Sequence, residues 1–263
     1  GTYRGNLANA KDWHVYFFGG YELKELALMT DLLRAMSGAV ALDIGGNQGG
    51  HTLTMAKVAA VVHSVEPYGP LADRIVQLVE ANGVSNVKIH RVGLGDKPGM
   101  FDYFLDPESS NQGTGSFLEH HNDGGVAARL EIVRGDEYFN GILPGLDFIK
   151  IDIEGFEAPA LSGMGEILDR DSPIILMEVT HSSAELFREY GGLQATLPFP
   201  FRLFEVANPT YRLGVFQRCQ YRLVEIAELR PRKASHNVLI VPESRMAALM
   251  ASRAATGLEL TRQ

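Results

Sequence analysis

The stretch Ala39-Val40-Ala41-Leu42-Asp43-Ile44-Gly45-Gly46-Asn47-Gln48-Gly49-Gly50-His51-Thr52 decides the fold. An apolar run with an acid near its end passes directly into a cluster of glycines and then into a helix-like segment. A buried parallel strand turns into a helix in this way at nucleotide-binding sites. Glycine suits such a turn because it reaches positive φ without penalty and lets a ligand lie against bare backbone. The pattern therefore predicts an adenosine-type ligand at this turn.

The composition of the 263 residues excludes several classes of protein. The single Cys219 cannot form an intramolecular disulfide, which favours a reducing compartment, and we expect the cytoplasm. There is no long uncharged apolar run and no signal-peptide pattern, so we expect neither a membrane span nor export. A formal net charge of -8 argues against nucleic acid as a partner and favours a small neutral or cationic substrate.

Strand and helix patterns alternate over the first ninety or so residues. Apolar residues recur at helical spacing before the glycine turn and in residues 70–81, and short apolar runs separate these segments. This alternation predicts a doubly wound α/β fold with a mostly parallel sheet and helices on both faces. The expected elements are helix 21–36, strand 39–44, helix 51–60, strand 61–66, helix 70–81 and strand 87–92.

The rest of the chain keeps this pattern after an irregular stretch. We expect a single domain over 1–263, with an N-terminal arm and helix at 1–36 and an insertion or hairpin at 207–235. The expected short strands are 99–105, 115–118 and 129–133; the later strands are 146–152, 172–179, 201–206 and 237–241; and the helices are 157–168, 182–190 and 243–255.

The spacing of the glycines distinguishes between cofactors. A dinucleotide site requires G-x-G-x-x-G, in which the middle glycine lets the pyrophosphate approach the helix. Asn47 occupies that middle position, and the pattern is instead D-x-G-x-x-x-G through Asp43, Gly45 and Gly49. S-adenosylmethionine has no pyrophosphate but carries an ammonium and a sulfonium group, so an acid beside open glycines suits it better than a nicotinamide dinucleotide.

Two further acids follow the next strands. Glu66 ends the second strand and can accept hydrogen bonds from both ribose hydroxyls of an adenosine. Asp96 follows the third strand and is expected to accept from the adenine amino group, and we assign the neighbouring Leu94 to the same pocket. An acid after a strand is often only a turn former, but three such acids together with the glycines favour a cofactor site.

A second informative stretch runs from Phe148 to Gly155. A central parallel strand should be continuously apolar, yet Lys150, Asp152 and Glu154 alternate with isoleucines. One interpretation is an internal pair between Lys150 and one acid at a sheet edge. The other is that the carboxyl end of this strand opens into the substrate crevice, where Glu178 and His181 would lie beside Asp152 if the next strand is its neighbour.

These residues together resemble the FkbM family of S-adenosylmethionine-dependent methyltransferases. The Lys-Ile-Asp-Ile-Glu-Gly stretch is specific to that family, whereas the glycine loop is shared by most class I methyltransferases. The matching stretches are Gly20-Tyr21-Glu22, Asp43 to Gly49, Glu66-Pro67, 133–138, Lys150 to Glu157, Met177-Glu178 and 237–242.

The resemblance implies a Rossmann-like class I methyltransferase sheet of seven strands, the last antiparallel. It also implies methyl transfer to a hydroxyl of a sugar or natural product. Asp152 and Glu178 are then expected to face the acceptor, with His181 as candidate base and His51 as a helix-start residue only. Asp152 and Glu178 would also suit a divalent cation, for which the sequence supplies no clear further ligands. The alternatives are a non-catalytic module that binds an adenosine ligand and a nicotinamide-dependent oxidoreductase.

Overall fold

In the part of the chain that the structure describes, nine strands form the main sheet and three more form a small second sheet. The computed structural model describes residues 2, 5, 14–17, 20–104, 115–118, 126–208 and 221–259. The strands are β1 (Val40–Ile44), β2 (Val61–Val65), β3 (Val87–His90), β4 (Gly93–Leu94), β5 (Gly99–Phe104), β6 (Val126–Val133), β7 (Phe148–Ile151), β8 (Ile174–Val179), β9 (Phe201–Ala207), β10 (Arg222–Ile226), β11 (His236–Pro242) and β12 (Leu258–Glu259).

Helices connect most of these strands. The α-helices are α1 (Leu23–Ala35), α2 (Gly50–Ala56), α3 (Gly69–Ala81), α4 (Gly135–Tyr138), α5 (Glu157–Ser162), α6 (Gly165–Asp171), α7 (His181–Glu189), α8 (Leu193–Thr196) and α9 (Met246–Ala251). The expected helical tail is divided, because 3-10 turns at Glu243–Arg245 and Arg253–Gly257 flank α9.

The main sheet has the order β12-β10-β9-β11-β8-β7-β1-β2-β3. Strands β8, β7, β1, β2 and β3 are parallel to their neighbours in this series, and β11 is antiparallel to both β8 and β9. This confirms the doubly wound, mostly parallel sheet with an antiparallel strand near one end. The expected seven strands run from β9 to β3, and β10 and β12 extend that edge to nine.

The core lies on both faces of the sheet because successive side chains of a strand point to opposite sides. In β1, Leu42 and Ile44 belong to the apolar cluster that includes Ile151 of β7. Ala41 belongs to the other cluster, together with Leu32 of α1. A central strand buried on both faces is therefore apolar at nearly every position, and Asp43 is the exception in β1.

The second sheet has the order β4-β6-β5, with β5 antiparallel to β6. Two of the short strands expected in the irregular stretch are present as β5 and β6. The third, expected at 115–118, is wrong: Ser116 makes only an isolated bridge with Phe104. Residues 105–114 lie outside the described part of the chain.

The helix expected over 157–168 is divided into α5 and α6. Gly163, between them, approaches the backbone of Gly95 so closely that a Cβ on Gly163 would lie 2.1 Å from the carbonyl oxygen of Gly95. The helix is interrupted where the two backbones meet. The apolar pattern of residues 157–168 does not predict this interruption.

The expected insertion or hairpin at 207–235 contains β10, which pairs antiparallel with β9. Residues 209–220 of this segment lie outside the described residues. In the part of the chain that the structure describes, no helix combines the length and the apolar character that a bilayer crossing requires.

Candidate functional site

The glycine turn after β1 is closed by the neighbouring strands. The backbone N–H groups of Gly45 and Gly46 both donate to the carbonyl oxygen of Val65, each at 3.0 Å. Gly45 has φ of 86°, and a Cβ at this position would lie 2.1 Å from the carbonyl oxygen of Asp152. The turn therefore packs directly on the end of β7 and needs glycine there. Gly49 caps α2 with φ of 84°.

Glu66 is held at the carboxyl end of β2 by two backbone donors. It is 4% exposed, and its Oε2 accepts the N–H of Asn47 at 2.8 Å while its Oε1 accepts the N–H of Tyr68 at 2.9 Å. Asn47 has φ of 51°, a left-handed conformation that asparagine tolerates better than most residues. The two backbone donors fix the carboxylate of Glu66 at the carboxyl end of β2, beside the glycine turn.

Asp43 is fully buried under the turn. Its Oδ2 accepts a hydrogen bond from Thr52 Oγ1 at 2.5 Å, whereas its Oδ1 has no hydrogen-bond partner among the described residues. Burial raises the pKa of Asp43 above its usual value, although His51, Thr52 and Lys150 oppose that shift. A buried acceptor without a donor is costly, so a donor from a ligand or solvent at this point would be stabilising.

Leu94 and Asp96 lie in and after β4, which belongs to the small sheet. Leu94 is buried in the apolar core. The carboxylate of Asp96 accepts a hydrogen bond from the hydroxyl of Tyr190 at 2.9 Å, and its carbonyl accepts one from Arg134 at 2.9 Å. The structure therefore gives Asp96 a partner at the end of α7, and its role toward adenine stays a prediction.

Lys150 lies in the middle of the main sheet rather than at an edge. Its side chain is 1% exposed, and its Nζ lies 3.7 Å from Oδ2 of Asp152. The internal pair exists, but at the carboxyl end of a central strand rather than at a sheet edge. That this strand end opens into a substrate crevice stays a prediction. Burial opposes the charge of Lys150, but Asp152, Glu22 and Glu178 together raise its pKa, so it stays an ammonium.

Glu178 adjoins Asp152, because β7 and β8 are parallel neighbours with Ile151 beside Met177. Burial, the charge of Asp152, a hydrogen bond with Asp152 and the charge of Glu154 raise the pKa of Glu178 to about 9. Glu178 therefore keeps its proton at neutral pH and shares it with Asp152.

Oxygens of Asp152, Glu154 and Glu178 lie within 4.8 Å of one another. Such a group resembles a cation site, which the sequence left open. The ammonium of Lys150 and the proton of Glu178 already offset much of the negative charge, so these acids do not require a cation for charge balance.

His181 does not join this group. It is the first residue of α7, its side chain is 59% exposed, and its Nε2 lies 3.3 Å from Oε1 of Glu185 one turn along the same helix. It has the geometry of a surface ion pair.

The structure adds Glu22 and His51 to the site. Nε2 of His51 lies 3.2 Å from Oε2 of Glu22, and the two side chains are only 16% and 20% exposed. Both line a cavity of about 300 Å³ that also reaches Asp152 and the glycine turn. Glu22 stands in a stretch that matches the family, but the sequence gives it no role, and His51 was expected only to start a helix.

Glu157 holds the loop that follows β7. It is fully buried, and its Oε1 accepts the backbone N–H groups of Ile153 at 3.1 Å and Gly155 at 3.2 Å. Its Oε2 accepts the hydroxyl of Ser183 in α7 at 2.7 Å. Glu157 thereby ties the loop that carries Glu154 to the helix that follows β8.

Comparison with known proteins identifies a family. A family model described as "Methyltransferase FkbM domain" matches residues 43–223, more than half of the chain. A protein-L-isoaspartate O-methyltransferase from Roseiflexus sp. (strain RS-1) is 33% identical over 78 residues, which cover 30% of this chain and 35% of that relative. This match therefore spans only about a third of the relative's length.

Solved structures with low sequence identity are also similar. A methyltransferase FkbM from Methylobacillus flagellatus KT gives a TM-score of 0.49 at 14% identity and covers 77% of this chain and 43% of that chain. An rRNA methylase from Streptococcus thermophilus gives a TM-score of 0.47 at 10% identity, covering 83% of this chain and 93% of that chain.

Proposed function

Because the chain belongs to the FkbM methyltransferase family, we propose that it uses S-adenosylmethionine to methylate a hydroxyl group of a small molecule such as a sugar or natural product. The observation that carries the proposal is the pair of acids, Asp152 and Glu178, that share a proton beside the glycine turn. An alcohol acceptor must be oriented and must lose its proton, and such a pair offers both an acceptor and a donor of hydrogen bonds.

The residues around the turn fit S-adenosylmethionine. Gly45 lines the cavity at the turn, backbone donors fix the carboxylate of Glu66 where a ribose could reach it, and the buried Oδ1 of Asp43 lacks a donor in the described chain. Asn47 replaces the glycine that a pyrophosphate needs, which disfavours a nicotinamide dinucleotide. When bound, S-adenosylmethionine supplies a methyl group activated by its positively charged sulfur.

The acceptor side is built to hold a hydroxyl. Asp152, 3.7 Å from Nζ of Lys150, accepts the hydrogen bond of the hydroxyl, while the proton that Glu178 shares with Asp152 holds the two carboxyl groups together. Glu157 accepts two backbone N–H groups of the loop that follows β7, so this loop keeps its conformation without an acceptor present. Fixed groups of this kind accelerate a displacement by orienting the reactants.

The charges also favour a class of acceptor. Glu22 and Asp152 add negative charge around Lys150, Glu154 adds negative charge beside Glu178, and the whole chain has a formal net charge of -8. An anionic acceptor, including a nucleic-acid backbone, would be repelled, whereas a polyhydroxylated neutral or cationic molecule would not. We therefore propose a small hydroxylated acceptor.

Ligand binding tests the cofactor first. The purified protein is heated with S-adenosylmethionine, S-adenosylhomocysteine or NADH. A ligand at a hundred times its dissociation constant stabilises the folded state by about 2.7 kcal/mol. Stabilisation by the first two compounds alone supports the proposal, and stabilisation by NADH alone supports an oxidoreductase.

Methyl transfer is then measured with labelled S-adenosylmethionine and a panel of hydroxylated metabolites. The Asp152→Asn variant should lose at least about 100-fold in turnover and keep its affinity for S-adenosylhomocysteine within threefold. Asp73→Asn, which alters only an exposed pair with Arg91, serves as the control. A protein that binds the cofactor but labels no compound is a binding module instead, and a fully active Asp152→Asn variant contradicts the assignment of Asp152.

A further inference from the structure

The contact between His51 and Glu22 lies in the cavity beside Asp152, and the function proposed above gives this pair no catalytic role. We propose that His51 is the general base that takes the proton from the acceptor hydroxyl, and that Glu22 orients the imidazole of His51. This inference rests on the proposed function, since it assigns the base of the same methyl transfer.

The geometry leaves one ring nitrogen available. Nε2 of His51 lies 3.2 Å from Oε2 of Glu22, which is the distance of a hydrogen bond. In the part of the chain that the structure describes, Nδ1 makes no hydrogen bond. A hydrogen on Nε2 that is accepted by Glu22 leaves the lone pair on Nδ1, and that lone pair can accept a proton.

Glu22 is fixed in an unusual conformation. Its φ of 55° and ψ of 51° are left-handed, which is uncommon for a residue other than glycine or asparagine. Such conformations cost free energy and cluster at functional sites. The carbonyl of Glu22 accepts the N–H of Leu26 at 3.0 Å, so this residue is anchored at the start of α1 while its carboxylate meets α2.

Acids surround the imidazole. Glu22, the residue before α1, faces the imidazole. Asp43 of β1 also interacts electrostatically with His51. Lys150 and Asp152, at the end of β7, interact electrostatically with Glu22. Burial would raise the pKa of Glu22, but the hydrogen bond and charge of His51 outweigh burial and lower it. Glu22 is therefore ionised at neutral pH and can stabilise the imidazolium that forms.

The atoms and charges of the step balance. The O–H bond of the acceptor breaks, and its proton passes to Nδ1 of His51. The electron pair of the oxygen forms the bond to the methyl carbon, and the carbon–sulfur bond breaks with its electrons returning to sulfur. The products are a methyl ether, a neutral thioether and an imidazolium paired with Glu22.

His51 suits this role better than the other candidates. His181 is 59% exposed and pairs with Glu185 outside the acidic group. Asp152 already shares the proton of Glu178, and its Oδ2 lies 3.7 Å from the ammonium of Lys150. Both contacts make Asp152 a weak base but a good hydrogen-bond acceptor for orienting the hydroxyl. His51 alone among these combines burial, a carboxylate partner and a free ring nitrogen.

The tautomer of His51 tests the pair without any acceptor. Nitrogen NMR of the full chain, labelled at its histidine rings and compared with His51→Gln for assignment, reports which ring nitrogen carries hydrogen at neutral pH. We expect hydrogen on Nε2 and a bare Nδ1. In Glu22→Ala, the preference for hydrogen on Nε2 should weaken, because the acceptor of that hydrogen is lost. Hydrogen on Nδ1 in the wild type, or an unchanged preference for Nε2 in Glu22→Ala, overturns the proposal.

Kinetics test the base itself. With an acceptor found in the methylation screen, His51→Gln should lower kcat by about 100- to 10,000-fold and leave the affinity for S-adenosylhomocysteine within threefold. Glu22→Gln, whose side-chain oxygen can still accept from Nε2, should lower kcat less than Glu22→Ala does, as expected of a positioning residue. Asp73→Asn should leave both unchanged.

The outcomes separate the two proposals. A wild-type protein that binds S-adenosylhomocysteine but methylates nothing overturns the proposed function and, with it, the base. An active wild type whose His51→Gln variant keeps its kcat within threefold overturns only the assignment of His51. Loss of activity in His181→Ala, with His51→Gln active, transfers the role to His181.

Discussion

The acids at the ends of β1 and β2 are stabilised differently from those at the ends of β7 and β8. Glu66 accepts hydrogen bonds from two backbone N–H groups, and Asp43 accepts one from Thr52. At the other pair of strands, Asp152 and Glu178 share one proton beside the buried ammonium of Lys150. The first pair is held mainly by neutral donors and the second by charges, so the second should respond far more strongly to pH and to the loss of a single charge.

Removing the buried ammonium should have the largest effect on this contrast. Lys150→Met leaves the neighbouring acids without their compensating charge, and breaking a buried pair typically costs about 3–5 kcal/mol. We expect the free energy of unfolding in urea to fall by that amount. Lys88→Met, at an exposed lysine of β3, should change it by less than about 0.5 kcal/mol. A loss below about 1 kcal/mol for Lys150→Met would mean that the acids do not depend on Lys150.

The contact that joins the two regions should give the next largest effect. Gly45→Ala puts a Cβ against the carbonyl of Asp152 at φ of 86°, whereas Gly38→Ala has φ of 72° and nothing within 4 Å. Both variants bear the backbone penalty of about 1–2 kcal/mol. Gly45→Ala should be less stable than Gly38→Ala by about a further 1–3 kcal/mol, measured by urea unfolding. Equal losses would show that the turn and β7 can move apart freely.

A smaller effect is expected at Glu66. Glu66→Ala should weaken S-adenosylhomocysteine binding by about 10- to 100-fold, because hydrogen bonds to a charged group contribute about 1.5–3 kcal/mol. Isothermal calorimetry measures the affinity, and Glu80→Ala at the exposed end of α3 is the control. An unchanged affinity would remove Glu66 from the cofactor site.

The pH dependence at Glu178 tests the same contrast through a proton. Its pKa is raised to about 9 in the folded protein, so the unfolded state releases the proton at lower pH than the folded state does. Its contribution to stability is complete below about pH 4.5 and is lost as pH rises toward 9. Urea unfolding of Glu178→Gln at pH 5, 7 and 9 should lose less stability with rising pH than wild type does. Glu185→Gln, an exposed acid of α7, should follow wild type, and parallel curves for all three would exclude a raised pKa at Glu178.

The sequence predicted the features that depend on local pattern. The apolar run before Gly45 and the alternation around Lys150 identify β1 and β7, and the acids at their ends follow from the positions of those strands. The parallel order then brings Glu178 beside Asp152, as expected. These predictions succeed because strand periodicity and strand ends are properties of adjacent residues.

Features that depend on contacts between distant residues could not be predicted. The pairing of Glu22 with His51 requires α1 to pack against α2, and the engagement of Asp96 by Tyr190 joins residues 94 apart. The break at Gly163 depends on a backbone contact with Gly95. The ninth strand, β12, has only two residues and is too short for a periodic pattern.

The carboxylate of Glu157 has a consequence for redesign of the enzyme. It accepts hydrogen bonds from the loop after β7 and from the first turn of α7. One carboxylate therefore couples the positions of the segments that follow β7 and β8. Grafting either segment alone from a relative would separate the carboxylate from half of its partners and leave buried donors unpaired. Segment exchanges in this region should therefore transfer the loop, Glu157 and Ser183 as one block.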